Sequence, residues 1–221
     1  MSSATLFRLS GLALLLVAPI GVFGHVILHP PGHQLDHMNS PMWVPAHSLI
    51  LVSFCLILLG LVGLYARQSH RAGELGLVGF VLAVLSVTVS VTTMVFEVFV
   101  VPVLAANPSY QQLAMPEGPL LGGPLGALRF LGTTSFVVAF FLLGIATIRA
   151  GVLPRSSGLS LIAVAALVLV LIVPVPGILI GVGLALTSVA LLWPGWALFA
   201  GRGSRAARAS ARVGRIEHAQ P

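Results

Sequence analysis

The sequence predicts an all-α, polytopic membrane protein, a bundle of about six transmembrane helices, and three observations lead there. Only 7% of the 221 residues are charged and 57% are apolar, where soluble domains carry about 25% charged residues; the mean hydropathy is +1.07. The apolar residues fall into runs close to the roughly 20 needed to cross a hydrocarbon core about 30 Å thick. The positive charge, 11 arginines and no lysine, collects at alternate junctions between those runs. Because lipid offers no partner to a free backbone N–H or C=O, the spanning segments must be helices.

The first run covers about residues 6–28, with Pro19 as an expected kink. It is read as an uncleaved span. Its single Arg8 makes a thin basic leader, the run exceeds the 7–15 residues of a signal core, and no A-x-A site follows. The second run, about residues 46–66, is announced by Trp43 at interface depth and by Pro45 in the first turn. The short basic link RQSHRAGE leads into the third, about residues 75–104, whose Ser86, Thr88, Ser90, Thr92 and Thr93 can bond back to their own helix or across to another. Residues 105–124, rich in Pro, Gly and Gln, read as an irregular, exposed loop. The fourth run covers about residues 125–148, the fifth about 159–173 and the sixth about 178–198, with Trp193 and Trp196 marking the last interface. Residues 1–200 thus form one transmembrane domain, and 201–221 a basic tail.

Orientation follows from arginine. Arg8, Arg67, Arg71, Arg149, Arg155 and the tail residues Arg202, Arg205, Arg208, Arg212 and Arg215 fall on one side of a six-span topology, and the other three connections hold no Lys or Arg. The positive-inside rule places both termini in the cytoplasm and the loop between the first two spans outside. The tail arginines recur every three or four residues with no aromatic between them. That pattern fits anionic lipid headgroups, at about 1 kcal/mol per arginine near the surface, rather than nucleic acid. Residues 58–85 also align without gaps on 142–169, pairing Arg71 with Arg155 and Leu75 with Leu159, the pattern of a weak parallel internal repeat.

Between residues 140 and 174, Arg149, a small residue, Gly151, and then Leu153-Pro154-Arg155 lead into another apolar run. This segment resembles a bacterial family of small polytopic membrane proteins catalogued only as a domain of unknown function. The opening RLSGLALLLVAP, residues 8–19, is similar to that family's first helix. The resemblance implies a bacterial cytoplasmic-membrane protein of about six helices and carries no activity with it.

Chemistry, if present, concentrates at the outer ends of the helices. Five of the seven histidines lie between Gly24 and His47. His25 and His29, four apart, share a helix face, and His47 opens the next helix. Glu97 sits about seven residues, roughly 10 Å, inside the third helix, and Arg129 about five residues into the fourth. A central membrane charge costs about 2.5–3.5 kcal/mol on translocon scales, so Glu97 needs a partner. The structural reading pairs it with Arg129 or with neighbouring hydroxyls; the functional one makes it a proton relay or a metal ligand. His25, His29, His47 and Glu97 together would suit zinc, and two of the histidines would suit haem. His33 and His37, beyond Pro30-Pro31, read as solvated loop residues beside Asp36. Cys55, mid-helix and unable to form an internal disulfide, reads as a small core residue.

No P-loop, dinucleotide fingerprint, H-E-x-x-H, G-x-S-x-G or C-x-x-C-H is present. The leading reading is therefore a multi-pass membrane protein, non-enzymatic or at least of unassigned activity, with a polar histidine/glutamate cluster at its outer face. A metal- or haem-binding membrane enzyme using that cluster is the first alternative. A small transporter is the second, for which Pro19 and Pro102 offer helix breaks.

Overall fold

In the computed structural model, residues 2–29, 35–115, 117–172 and 177–201 are described, and they form helices and turns with no strand among them. His33, the turn at 173–176 and the tail arginines from Arg202 onward lie outside the described residues. Helix α1 (Ser3–Val22) starts at Ser2, whose Oγ accepts from Thr5 N–H at 3.2 Å, and continues as a π-helical segment over Phe23–Leu28. A short α2 (Leu35–Met38) precedes α3 (Trp43–Phe99), and α4 (Val101–Ala106) and α5 (Gln111–Ala114) follow it. Then come α6 (Pro124–Ala150), α7 (Arg155–Val170), α8 (Gly177–Ala190) and α9 (Leu192–Phe199). Among the described residues, four stretches are long and apolar enough to cross a membrane, Ser3–Leu28, Trp43–Ala106, Pro124–Ala150 and Gly177–Phe199; Arg155–Val170 is apolar but shorter.

A straight α3 of 57 residues would run roughly 85 Å, nearly three hydrocarbon thicknesses. It does not run straight. Gly73, at φ 59° and ψ −165°, turns the chain back on itself in one residue. Residues 43–72 and 74–99 therefore lie antiparallel, with Trp43 Nε1–H donating to Glu97 O at 2.9 Å and Tyr65 stacked on Phe80 at 4.5 Å. The basic link expected at RQSHRAGE is thus helical up to this single glycine.

From α1 through the two halves of α3, α6 and α7 to α8, each long segment packs antiparallel to the next, α9 continuing the stretch begun by α8, and small residues set the approach. Ser10 Oγ donates to Leu59 O at 2.9 Å, and Arg67 sits over the Phe7 ring, joining α1 to the first half of α3. A Cβ added at Gly79 would lie 3.0 Å from Leu143 N, so the second half of α3 lies close against α6. Gly144 and Gly158 face each other's carbonyls between α6 and α7. Ser160 Oγ donates to Ala190 O, joining α7 to α8, and Gly11 meets Gly195 where α9 closes on α1. The core lies along this axis, with Leu14, Leu61, Phe140, Leu143 and Leu161 almost wholly buried.

The corner at Gly151 explains the Arg149-x-Gly-x-Leu-Pro-Arg pattern. Gly151 takes the left-handed conformation, φ 61° and ψ 17°, that ends α6; Pro154 then caps α7, accepting from Ser157 N–H at 2.8 Å. In the proposed repeat alignment Gly73 falls opposite Ser157, inside a helix, so the two corners are not equivalent positions.

Other expectations need correction. Cys55 faces outward rather than into the core, because its neighbours Ser53 and Ile57 take the inward positions. Trp43 is wholly buried against Met38, Val101, Ala105 and Ala114. The same cluster orders part of the loop expected to be irregular, with Gln111 Nε2–H donating to Ala105 O at 3.1 Å. The third run also breaks at Val100, φ −105°, where Pro102 removes the N–H that Val98 O would accept.

Gly73 occupies a backbone region essentially restricted to glycine, yet a Cβ there would meet nothing within 4 Å. Gly73→Ala should therefore report backbone strain alone, lowering stability by about 1–3 kcal/mol. Gly151→Asn should lose less, because Asn enters the left-handed region readily. Thermal unfolding in detergent measures both; equal stability of Gly73→Ala and wild type would remove the claim that this glycine locks the corner.

Candidate functional site

The end of the bundle away from Gly73 and Gly151 holds a cavity of about 360 Å³. Its walls come from the π-helical end of α1, both halves of α3, α6 and α8. His25, His29, His47, Glu97 and Arg129 all line it, together with apolar Ile50, Phe54, Met94 and Leu184. The π-helical segment passes so close to α8 that a Cβ on Gly181 would lie 2.8 Å from His25 O. Small residues on α8 are what let the widened end of α1 sit there.

Glu97 is 1% exposed, and its Oε1 lies 3.3 Å from Arg129 Nη1, a single contact rather than a two-pronged one. Arg129 is unequal to its partner, since 34% of its side chain is exposed. The carboxylate is thus held inside the bundle while the guanidinium stands at its rim. Glu97 Oε2 has no hydrogen-bond partner among the described residues. A buried acceptor left unpaired costs about 1–3 kcal/mol, more when charged, so this atom is a marked exception inside an apolar wall.

The histidines are bound up with one another. Trp43 and His47 stack at 4.1 Å between ring centroids, and His29 lies 4.8 Å from His47 and 5.8 Å from Trp43. His47 Nδ1 is 2.9 Å from Trp43 O, and since a carbonyl only accepts, Nδ1 carries the proton. Trp43 also donates to the Glu97 carbonyl, which the helix break at Val100 leaves available. The indole therefore ties the histidine cluster to the helix that carries Glu97.

His25, His29, His47 and Glu97 share one cavity, yet among the described residues no group of three or more His, Cys, Asp or Glu is placed to hold a metal ion. Glu97 is turned toward Arg129, and His47 presents one ring nitrogen to its own helix. For haem, His29 and His47 stand too close, at 4.8 Å between centroids, to take a macrocycle between them.

A deeper cavity of about 130 Å³ shares His25, Ile50, Phe54 and Leu184 with the first and reaches Ile57, Phe136 and Leu191 in the core. Sequence reasoning did not find it. Its hydroxyls, Ser53, Ser90, Thr133, Thr187 and Ser188, each donate to the carbonyl four residues earlier on their own helix. With their protons committed, the oxygens can serve any further partner only as acceptors. The signal lay in Ser and Thr on three different helices, visible only once those helices are assembled.

The fold and site together describe a helical protein with apolar helices suited to a membrane and a polar cavity at one end of the bundle. No protein-family model, curated protein or solved structure matches the chain.

Two outcomes follow. Arg129→Gln should lower stability by about 1–3 kcal/mol by stranding the buried carboxylate, and adding Glu97→Gln should recover part of that loss; additive losses in a thermal double-mutant cycle would show that the contact contributes nothing. Protein purified without chelator or histidine tag, then offered zinc and haem, should show neither stoichiometric metal nor a Soret band. Either signal, abolished in His25→Ala or His47→Ala, would support the cofactor reading.

Proposed function

We propose that the chain is a non-enzymatic, six-span protein of a bacterial cytoplasmic membrane, with both termini in the cytoplasm, that takes a small ligand into its cavity from the outer face. The observation that carries this reading is the cavity itself, lined in part by Glu97, a buried carboxylate one of whose oxygens has no hydrogen-bond partner among the described residues. Intramembrane ionisable groups in such positions tend to be functional. Six crossings are favoured by the antiparallel packing of the two halves of α3 and by the separate α7. Arginine at Arg8, Arg67, Arg71, Arg149 and Arg155 argues for the orientation. The five tail arginines are assigned to anionic lipid headgroups, and the bacterial membrane to the resemblance around Leu153-Pro154-Arg155.

Transport is the second reading, and the deeper cavity favours it. A ligand passing His25 would reach hydroxyl acceptors near the middle of the bundle, as a carrier with a midplane site requires.

Single cysteines at Asn39, Ser69, Ser109 and Ser156 in a Cys55→Ala background test the topology. Asn39 and Ser109 should react with an impermeant thiol reagent added outside intact cells, while Ser69 and Ser156 should react only after permeabilisation. Labelling of Ser69 or Ser156 from outside, with Asn39 protected, overturns the orientation and with it the outward-facing cavity.

A further inference from the structure

We infer that the outer cavity is a binding site for a zwitterion, its ammonium group seated on Glu97 and its acid group on Arg129, with any apolar substituent against Phe54 and Met94. The inference rests on the reading of this cavity as an externally open ligand site and names the class of ligand.

Two hydrogen-bonding capacities at the site are unfilled. Glu97 Oε2 is a buried acceptor with no partner among the described residues. Arg129 meets Glu97 through Nη1 alone, and a guanidinium has five N–H donors. One side of the site thus lacks a donor, while the other has donors to offer a few ångströms away. A ligand bearing an ammonium and an acid group on neighbouring atoms answers both without breaking the existing pair.

Charge balance then selects among ligands. Glu97 and Arg129 together are neutral, so a lone cation would leave the cavity with a net positive charge and a lone anion with a net negative one. An uncompensated ion in a low-dielectric site carries a desolvation penalty that such walls cannot offset. A zwitterion leaves the sum at zero. Its direction is also set, since the carboxylate is buried and the guanidinium is one-third exposed: ammonium inward, acid outward. The hydroxyl oxygens below, all acceptors, extend the same preference for a donor at the inner end. Inorganic divalent ions are disfavoured because no group of three or more carboxylate, thiol or imidazole ligands is assembled among the described residues. The cavity, about 360 Å³, has room for an amino acid with a large apolar side chain or for a zwitterionic lipid headgroup.

The test compares three molecules of one shape by calorimetry on the purified full-length protein in detergent. L-phenylalanine carries both charges, phenethylamine only the ammonium, and 3-phenylpropionate only the carboxylate. L-phenylalanine should bind saturably, and each single-charge analogue should bind roughly ten- to a hundredfold more weakly, the loss expected for one charge-assisted contact. Short-chain dihexanoyl phosphatidylethanolamine, beside dihexanoyl phosphatidylglycerol, separates the sources. Tighter binding of the phosphatidylethanolamine than of L-phenylalanine assigns a lipid headgroup, and the reverse assigns a water-borne amino acid. Glu97→Gln should weaken the zwitterion and phenethylamine together, and Arg129→Gln the zwitterion and phenylpropionate. If neither variant folds, the comparison of analogues on wild type decides. An analogue that binds as tightly as the zwitterion, or an absence of binding by every probe, overturns the inference. Met94→Cys in the Cys55→Ala background keeps that failure apart from failure of the site reading. Modification by methanethiosulfonate ethylsulfonate from outside, with no zwitterion binding, removes the ligand assignment alone; no modification and no binding removes both.

Discussion

Inside hydrocarbon every polar group has to find its partner within the chain, and most of the details of this bundle follow from that requirement. Hydroxyls along α3, α6 and α8 return to carbonyls on their own helices. At one proline another element supplies the missing donor. Pro194 leaves the carbonyl of Ala190 without its usual partner, and Ser160 on the neighbouring helix donates to it. Where α3 breaks before Pro102, the Glu97 carbonyl takes the Trp43 indole. Against this background the unpartnered buried atoms stand out. Gln68 Oε1 and Ser157 Oγ lie in packed surroundings, Gln68 still donating to Thr147 at 3.0 Å, whereas Glu97 Oε2 belongs to a residue that lines open space.

That open space has a structural origin. Toward the Gly73 and Gly151 corners, helices approach to backbone contact at Gly11, Gly144, Gly158 and Gly195, and the core closes. At the other end regular geometry fails in several places at once. The α1 helix widens into a π-turn after Pro19, α3 breaks at Val100, and α8 begins with glycines at 177, 181 and 183 that fill little volume. The cavity lies where these irregular ends meet, so the polar groups they carry line it together.

Much of the fold was legible because apolar run length is a local property. The runs named from composition correspond to α1, the halves of α3, α6, α7 and α8 with α9, give or take a turn. Corners were less legible. Nothing in RQSHRAGE marks Gly73 over Gly151 or over any other glycine as the residue that must leave the helix, because that depends on where the returning segment finds its packing partner.

For the site, the sequence by itself determined that Glu97, Arg129, His25, His29 and His47 lie at similar depth, since rise per residue along a helix is constant. It could not determine which of them meet, because azimuth around each helix axis and the order of helices in the bundle are set by packing between segments far apart in the chain. Tertiary structure alone decided that Glu97 turns to Arg129, that Trp43 is buried to hold His47 and the Glu97 carbonyl, and that Cys55 faces outward. It also brought Ser53, Ser90 and Thr187, scattered over more than 130 positions, to one cavity wall. Depth is written in one dimension; convergence needs three.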